Sequence, residues 1–264
     1  MDYPKVDPDS LKLPPCPLPR PEEEVCWFVD SRFVTGIYRG HDKNGQPLII
    51  NQFGNPAFIR TFDAVRLTKP FDRRKPNWAY LPKDGVVVRP PDDVRKTFNV
   101  LLDQRIPPGP KYIDLISEIW GRGFEVYVVG GTVRDVLGND PSKDVDIVTT
   151  MPLNHMRRFL RSMYRYDPSG KDSRGFIRIG GTPESGDPFI DLKVFSDSLP
   201  GTTQACFGVG FERDVAHRDF ACNALYYDPI NAVLLDPSGH GIEDALANRL
   251  RLICDSADLT RSLG

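Results

Sequence analysis

The stretch VVGGTVRDVLGNDPSKDVDIVTT, residues 128–150, decides the fold that this sequence predicts. A predicted strand runs into a glycine pair, Gly130 and Gly131, and a short helix and a second strand follow. A glycine pair at such a turn lets backbone amides approach a phosphate without a Cβ in the way, and the helix N-terminus adds favourable partial charge. Arg134, one helical turn further on, is placed to reach the same phosphate. Glycines that serve packing alone are the alternative interpretation.

Two carboxylates lie on the second predicted strand. Asp144 and Asp146 are one residue apart, so their side chains project from one face while Val145 points into the core. Carboxylates held this close repel each other unless a cation lies between them. Oxygen ligands suit Mg²⁺, and a pair of divalent ions can activate an attacking hydroxyl and neutralise a leaving pyrophosphate. The pair therefore predicts a metal site, and a solvated strand edge is the alternative.

The sequence pattern divides the chain into three parts. Residues 1–22 are proline-rich and predict an extended arm, since proline suits neither helix nor sheet interiors. Residues 23–106 predict a small β-rich module, an SH3-like barrel, with a helix at residues 92–104. Residues 107–264 alternate helices with strands, which predicts an α/β (α+β) sheet domain. Within this domain a helix is expected to open around Arg218.

Composition narrows the classes of function. The net charge of -2 and the pI near 6.1 show no basic excess of the kind typical of nucleic-acid binders. Residues 111–264 concentrate the carboxylates that a metal site needs. The cysteines form no CxxC pair, so neither a zinc site nor a cysteine nucleophile is predicted. No apolar run reaches the roughly 18–20 residues that span a bilayer, so we expect a cytoplasmic protein without a membrane partner.

Three motifs occur in order along the chain: the first joins GGTVRDVLG to SKDVDIVTT, the second is HRDFACNAL at residues 217–225, and the third is LLDPSGHGIEDALANRLRL at residues 234–252. Together they resemble the head domain of the class II tRNA nucleotidyltransferases (CCA-adding enzymes) and bacterial poly(A) polymerases, in the DNA polymerase beta superfamily. The resemblance covers about residues 110–255. It implies a polymerase-beta-like nucleotidyltransferase head domain preceded by the β-rich module.

The resemblance also implies roles for single residues. Asp144 and Asp146 would bind two Mg²⁺ ions, and Asp191 would be a third catalytic carboxylate or else a surface aspartate at a strand edge. The residues that would contact the nucleotide, ATP or CTP, are Gly130, Gly131, Arg134, Arg218, Asp219 and Asn223.

The sequence departs from the family pattern at three places. His217 stands where the family's second motif has an arginine, and Ser196 stands where the family's strand that corresponds to the one carrying Asp191 often ends in an arginine. In the family, a helical neck that reads the base edge follows the head, and body and tail domains hold the tRNA. The chain reaches Gly264 where that neck would begin, so we expect either a fragment of a longer protein or another module that reads the base.

The sequence thus predicts a template-independent nucleotidyltransferase that adds nucleotides from ATP or CTP to an RNA 3′ end, that of a tRNA in particular, and releases pyrophosphate. Two alternatives stay open. The same head could transfer a nucleotide to another acceptor, as a tRNA-directed toxin or protein-modifying enzyme does, or the protein could bind nucleotide or RNA without catalysis. Basic and aromatic residues at positions 58–80 form either an RNA-binding face or the surface and core of the barrel. His41, His155 and His240 lack the spacing of metal ligands and are predicted to be structural.

Overall fold

Two β-sheets organise the residues that the structure, a computed structural model, describes: 3–14, 24–29, 32–42, 44–58, 65–67, 81, 83–106, 109–140, 145–163, 175–180, 189–198, 205–207, 211–216 and 218–253. The strands are β1 (Glu24–Val29), β2 (Arg32–His41), β3 (Pro47–Asn51), β4 (Pro56–Phe58), β5 (Val65–Leu67), β6 (Val86–Val88), β7 (Val126–Val129), β8 (Val145–Thr149), β9 (Phe176–Gly180), β10 (Phe189–Val194), β11 (Ser196–Ser198), β12 (Ala205–Phe207), β13 (Tyr226–Asp228) and β14 (Val233–Asp236). The helices are α1 (Asp92–Leu102), α2 (Tyr112–Gly121), α3 (Gly131–Leu137), α4 (Leu153–Met163), α5 (Phe211–Ala216) and α6 (Gly241–Leu246), with 3-10 turns at Pro8–Ser10 and Ala221–Asn223. Over these residues, no helix has the length and apolar character needed to cross a bilayer.

The first sheet confirms the β-rich N-terminal module. Its strands follow the order β11-β12-β2-β1-β5; β3 also pairs with β2, and β4 pairs with β3. Where the structure describes the strands, no pairing joins β4 to β5, so closure into a barrel stays a prediction. The strands β11 and β12 come from residues beyond 190, and β12 joins β2 by pairing Phe207 with His41. The basic and aromatic residues at positions 58–80 lie almost wholly outside the described residues.

The second sheet is the α/β domain that the sequence predicts. Its order is β6-β14-β13-β7-β8-β10-β9; β8 and β10 run parallel, and the other neighbours are antiparallel. Its edge strand β6 comes from residues 86–88, and the described part of the proline-rich arm extends this edge, because the Val6 N–H donates to the Val87 carbonyl at 2.9 Å. The strand pairings therefore cross the predicted boundary at residue 106 in both directions. The helix expected around Arg218 is wrong: α5 ends at Ala216, and a 3-10 turn follows at Ala221–Asn223.

The second sheet has two different faces because successive side chains of a strand point to opposite sides. On one face, residues such as Val145 and Ile147 pack under α1, α2, α3, α4 and α6 in one large core. On the other face, Tyr127 and Val148 pack with Phe211 of α5 and with Leu48 of β3. The N-terminal sheet thus contacts the second face, which is also the face on which Asp146 lies.

The turn between β2 and β3 fits closely against α4. The Asp42 carboxylate accepts hydrogen bonds from the N–H groups of Asn44 and Gln46, each at 2.8 Å. Gly45 has a φ of +76°, and a Cβ there would lie 2.2 Å from the Asn154 Oδ1. Only glycine tolerates both the positive φ and this close approach of the Asn154 side chain. The turn therefore packs directly against α4 and joins the N-terminal module to the second domain.

Because His41, at the end of β2, is buried, we expect the stability of the fold to fall in acid. Complete burial lowers the pKa of His41 from 6.5 to about 3, and the neighbouring His155 acts in the same direction. The folded state thus keeps His41 neutral while the unfolded chain protonates it, so this stabilisation is complete above pH 6.5 and is lost as the pH falls. Between pH 7 and pH 5 we expect the free energy of unfolding to fall by about 2 kcal/mol from this residue.

Urea unfolding of the protein and of its His41→Gln variant at the two pH values measures this loss. The variant should lose less stability on acidification than the unchanged chain, while His240→Gln, at an exposed histidine, should behave like the unchanged chain. Identical pH dependence of the His41→Gln variant and the unchanged chain would contradict the assignment.

Candidate functional site

Asp146 occupies an accessible position on the second face of the sheet. Its neighbours on β8, Val145 and Ile147, are fully buried on the opposite face, whereas the Asp146 side chain is 33% exposed. Its N–H donates to the Thr132 Oγ1 at 3.0 Å, which ties β8 to the first turn of α3. Asp144 lies outside the described residues, so its metal-binding role stays a prediction.

Asp191 lies beside Asp146 across the sheet. The two residues are partners in the parallel register of β10 and β8, so their side chains lie on the same face. Asp191 is 8% exposed and accepts two hydrogen bonds from Arg178 of β9, at 2.6 and 2.7 Å. Because β10 lies inside the sheet, Asp191 is not the surface residue of an edge strand that the sequence left as the alternative.

Lys193 is a residue of this face that the sequence analysis missed. It follows Asp191 by two positions on β10, and its Nζ lies 3.1 Å from the Asp146 Oδ1. The alternation of β10 could have placed it beside Asp191, but its contact with Asp146 depends on the pairing of two distant strands.

The glycine turn brings several predicted residues together. Gly130 has a φ of +72°, and a Cβ at this position would lie 3.7 Å from the Asp146 Oδ2, 3.8 Å from the Arg218 Nη1 and 3.9 Å from the Asn223 carbonyl oxygen. Two separate parts of the chain, β8 and residues 218–223, therefore meet at one turn between β7 and α3. The turn thus carries a carboxylate and a guanidinium beside a glycine backbone that has no Cβ.

Arg218 is held by a buried brace formed by Asp214 and Tyr226. The Arg218 Nη2 and Nε donate to the Asp214 Oδ2 at 2.8 and 3.2 Å, and the Tyr226 hydroxyl donates to the same oxygen. Burial alone would lower the pKa of Arg218, but the Asp214 carboxylate and Tyr226 raise it above its ordinary value. The guanidinium is therefore fixed in position and charged at every working pH.

A second network links the remaining residues predicted to bind the nucleotide. The Arg134 Nη1 donates to the Asn223 Oδ1 at 2.7 Å, and the Asn223 Nδ2 donates to the Asp219 Oδ1 at 3.2 Å. A Cβ at Gly131 would lie 3.4 Å from the Arg134 Nη2. The structure thus unites Gly131, Arg134, Asp219 and Asn223 beside the turn, whereas His217 lies outside the described residues.

The third motif supports this network from behind. Asp236 accepts the N–H of Ile242 at 3.0 Å and thereby fixes the start of α6. A Cβ at Gly241 would lie 2.6 Å from the Ala221 carbonyl oxygen, so the helix packs directly on the 3-10 turn that carries Asn223. In addition, the Ala221 N–H donates to the Arg251 carbonyl at 2.9 Å.

The carboxylates fit the Mg²⁺ that the sequence predicts. Mg²⁺ in proteins is held by one or two carboxylates, with water and phosphate oxygens as its other ligands. Asp146 and Asp191 supply neighbouring carboxylates, and Asp146, at 33% exposure, already has a cationic group, the Lys193 ammonium, as its partner. Across the described residues, which do not include Asp144, no group of three or more possible ligands could hold a metal ion.

Comparison with known proteins concerns the same segment of the chain. Residues 126–251 match the family model described as the poly A polymerase head domain. This segment is similar to that family's head domain. The matched residues include Gly130, Asp146, Asp191 and Arg218, so the site described above lies within the matched segment.

Individual relatives carry names from the same family. Poly(A) polymerase I of Haemophilus influenzae is 27% identical over 165 residues, which cover 54% of this chain and 33% of the relative. The CCA-adding enzyme of Geobacillus kaustophilus is 29% identical over 153 residues, 58% of this chain and 36% of the relative. A solved structure of the Thermotoga maritima CCA-adding enzyme complexed with tRNA has a TM-score of 0.42 and 24% identity, covering 59% of this chain and 35% of that one. The chain thus spans about a third of the length of these relatives.

Proposed function

We propose that the head domain transfers a nucleotide from ATP or CTP to the 3′ end of an RNA, a tRNA in particular, without a template and with release of pyrophosphate. One observation carries the proposal: a Cβ placed at Gly130 would lie within 4 Å of atoms of Asp146, Arg218 and Asn223. The relatives named poly(A) polymerase I and CCA-adding enzyme support the same reaction.

The proposal gives the carboxylates the task of placing Mg²⁺. Asp144 and Asp146 hold the ions, and Asp191 provides a neighbouring negative charge that Arg178 keeps in place. Two bound Mg²⁺ ions would make the RNA 3′ hydroxyl a better nucleophile and neutralise the leaving pyrophosphate. In phosphoryl transfer the protein contributes chiefly positioning and charge stabilisation, and a rigid pair of strands suits that task.

The basic residues have the task of holding the triphosphate. Arg218 is aimed at the turn by Asp214, and Arg134 is held by Asn223. Because both guanidinium groups are already oriented, little reorganisation is needed when negative charge develops on the phosphates. Gly130 and Gly131 let the phosphates approach the backbone, and Asp219 and Asn223 offer polar contacts to the ribose.

An assay of acceptor and nucleotide tests the proposal. The 264-residue chain is incubated with each labelled nucleoside triphosphate and with tRNA lacking CCA, intact tRNA or an unrelated RNA. We expect label at the RNA 3′ end that depends on a divalent cation and is strongest with a tRNA acceptor. Label on protein and none on RNA would assign the head to another acceptor, and nucleotide binding without transfer to any acceptor would contradict catalysis.

A further inference from the structure

Lys193 occupies a position that a divalent cation also needs. Its Nζ lies 3.1 Å from the Asp146 Oδ1, and the two side chains are 32% and 33% exposed. Lys193 belongs to β10, where Asp191 is the register partner of Asp146, so all three polar side chains lie on one face. The ammonium group therefore lies at the carboxylate proposed to hold Mg²⁺.

The other basic groups near the site have different anionic partners. Arg178 donates two hydrogen bonds to Asp191, and Arg218 donates two to Asp214. Arg134 contacts Asp135 and Asn223. The charge of Asp146 is therefore balanced by Lys193 when no metal is bound.

An ammonium group and a divalent cation cannot share one carboxylate oxygen without strong repulsion. A lysine side chain is a compact charge on a flexible stem, so it can leave the oxygen without disturbing the strand that carries it. An arginine at the same place would bind the carboxylate through two parallel hydrogen bonds and would leave it less readily.

We propose that Lys193 is a positioning residue that holds the Asp146 carboxylate in the metal-free protein and competes with the divalent cation for its Oδ1. This inference rests on the proposed metal-binding role of Asp146. Cation binding then releases the Lys193 ammonium from Asp146. Lys193 thereby sets the cation concentration at which the site is filled.

Binding of Mn²⁺ alone tests the competition, because free Mn²⁺ is counted directly by electron paramagnetic resonance. The full chain, without nucleotide or RNA, is titrated as the unchanged protein and as the Lys193→Met and Lys193→Arg variants. We expect Lys193→Met to bind Mn²⁺ about three- to tenfold more tightly, as loss of a partly exposed competing charge implies. We expect Lys193→Arg to bind Mn²⁺ no more tightly than the unchanged chain, and Mg²⁺ to displace Mn²⁺ from each protein.

A matched control removes a different paired ammonium. The Lys111 Nζ lies 2.6 Å from the Asp103 Oδ1, away from the glycine turn, so Lys111→Met should leave Mn²⁺ affinity unchanged. If Lys193→Met lowers the thermal midpoint of the metal-free protein and leaves Mn²⁺ affinity unchanged, Lys193 is merely structural and the competition is overturned. If Lys193→Met fails to fold, Lys193→Gln is used in its place. Equal Mn²⁺ affinity of Lys193→Gln and the unchanged chain would likewise overturn the competition.

Asp146→Asn separates this inference from the proposed function. If Asp146→Asn leaves Mn²⁺ binding intact, the metal-binding role of Asp146 itself is wrong. If Asp146→Asn removes Mn²⁺ binding while the Lys193 variants bind like the unchanged chain, the inference about Lys193 alone is wrong. Tighter binding by Lys193→Met that Asp146→Asn abolishes establishes the competition.

Discussion

Asp146→Asn is expected to lower the rate of nucleotide transfer roughly a thousandfold, because it removes the charge of the proposed metal ligand and keeps the shape of the side chain. The Asp146 N–H still donates to the Thr132 Oγ1, so the link between β8 and α3 is retained. The ion pair with Lys193 is lost, but a partly exposed pair contributes at most about 1 kcal/mol to stability. The fold should therefore persist while the activity disappears.

Single-turnover transfer of labelled ATP or CTP to tRNA measures this effect, with thermal unfolding as the check on folding. Asp103→Asn is a suitable control, since Asp103 is a carboxylate paired with Lys111 away from the turn. Asp144→Asn carries the same expectation from the resemblance. A variant at Asp146 that keeps the rate of the unchanged chain would remove this residue from the reaction.

Asp214→Ala is expected to cost about 3 kcal/mol of stability, because it leaves the Arg218 guanidinium buried without its anionic partner. The two side chains are only 9% and 19% exposed, so water cannot replace the lost carboxylate efficiently. Arg218 should also lose its orientation towards Gly130, and the KM for the triphosphate should rise. Tyr226→Phe removes only one hydroxyl of the brace and should cost about 1 kcal/mol.

The double variant Asp214→Ala with Arg218→Ala separates stability from binding. Removing the stranded charge should restore part of the lost free energy of unfolding, since the uncompensated guanidinium causes most of the penalty. The raised KM should persist, because the group that meets the phosphates is gone. Urea unfolding and steady-state kinetics measure the two quantities, and recovery of both by the double variant would show that Arg218 has no part in nucleotide binding.

The sequence alone located the elements that carry the site. Strands and a helix predicted within residues 125–150 occur as Val126–Val129, Gly131–Leu137 and Val145–Thr149. The predicted helix at residues 92–104 also occurs, as Asp92–Leu102. Periodicity, glycine turns and prolines are local properties, so they predict local structure without knowledge of distant partners. The family resemblance of about residues 110–255 likewise depended only on the order and spacing of motifs.

Only the tertiary structure decided which distant residues meet. The parallel pairing of β8 with β10 places Asp191 beside Asp146 and brings Lys193 to its carboxylate. The pairing of β12 with β2 joins residue 207 to residue 41, and β6 joins β14 across a comparable separation. The local pattern of a strand predicts that it will pair and which face it buries, but several partners satisfy that pattern equally well. The choice among them depends on how the whole chain packs, and that choice assembles the carboxylates, Lys193 and the braced Arg218 on one face of the sheet.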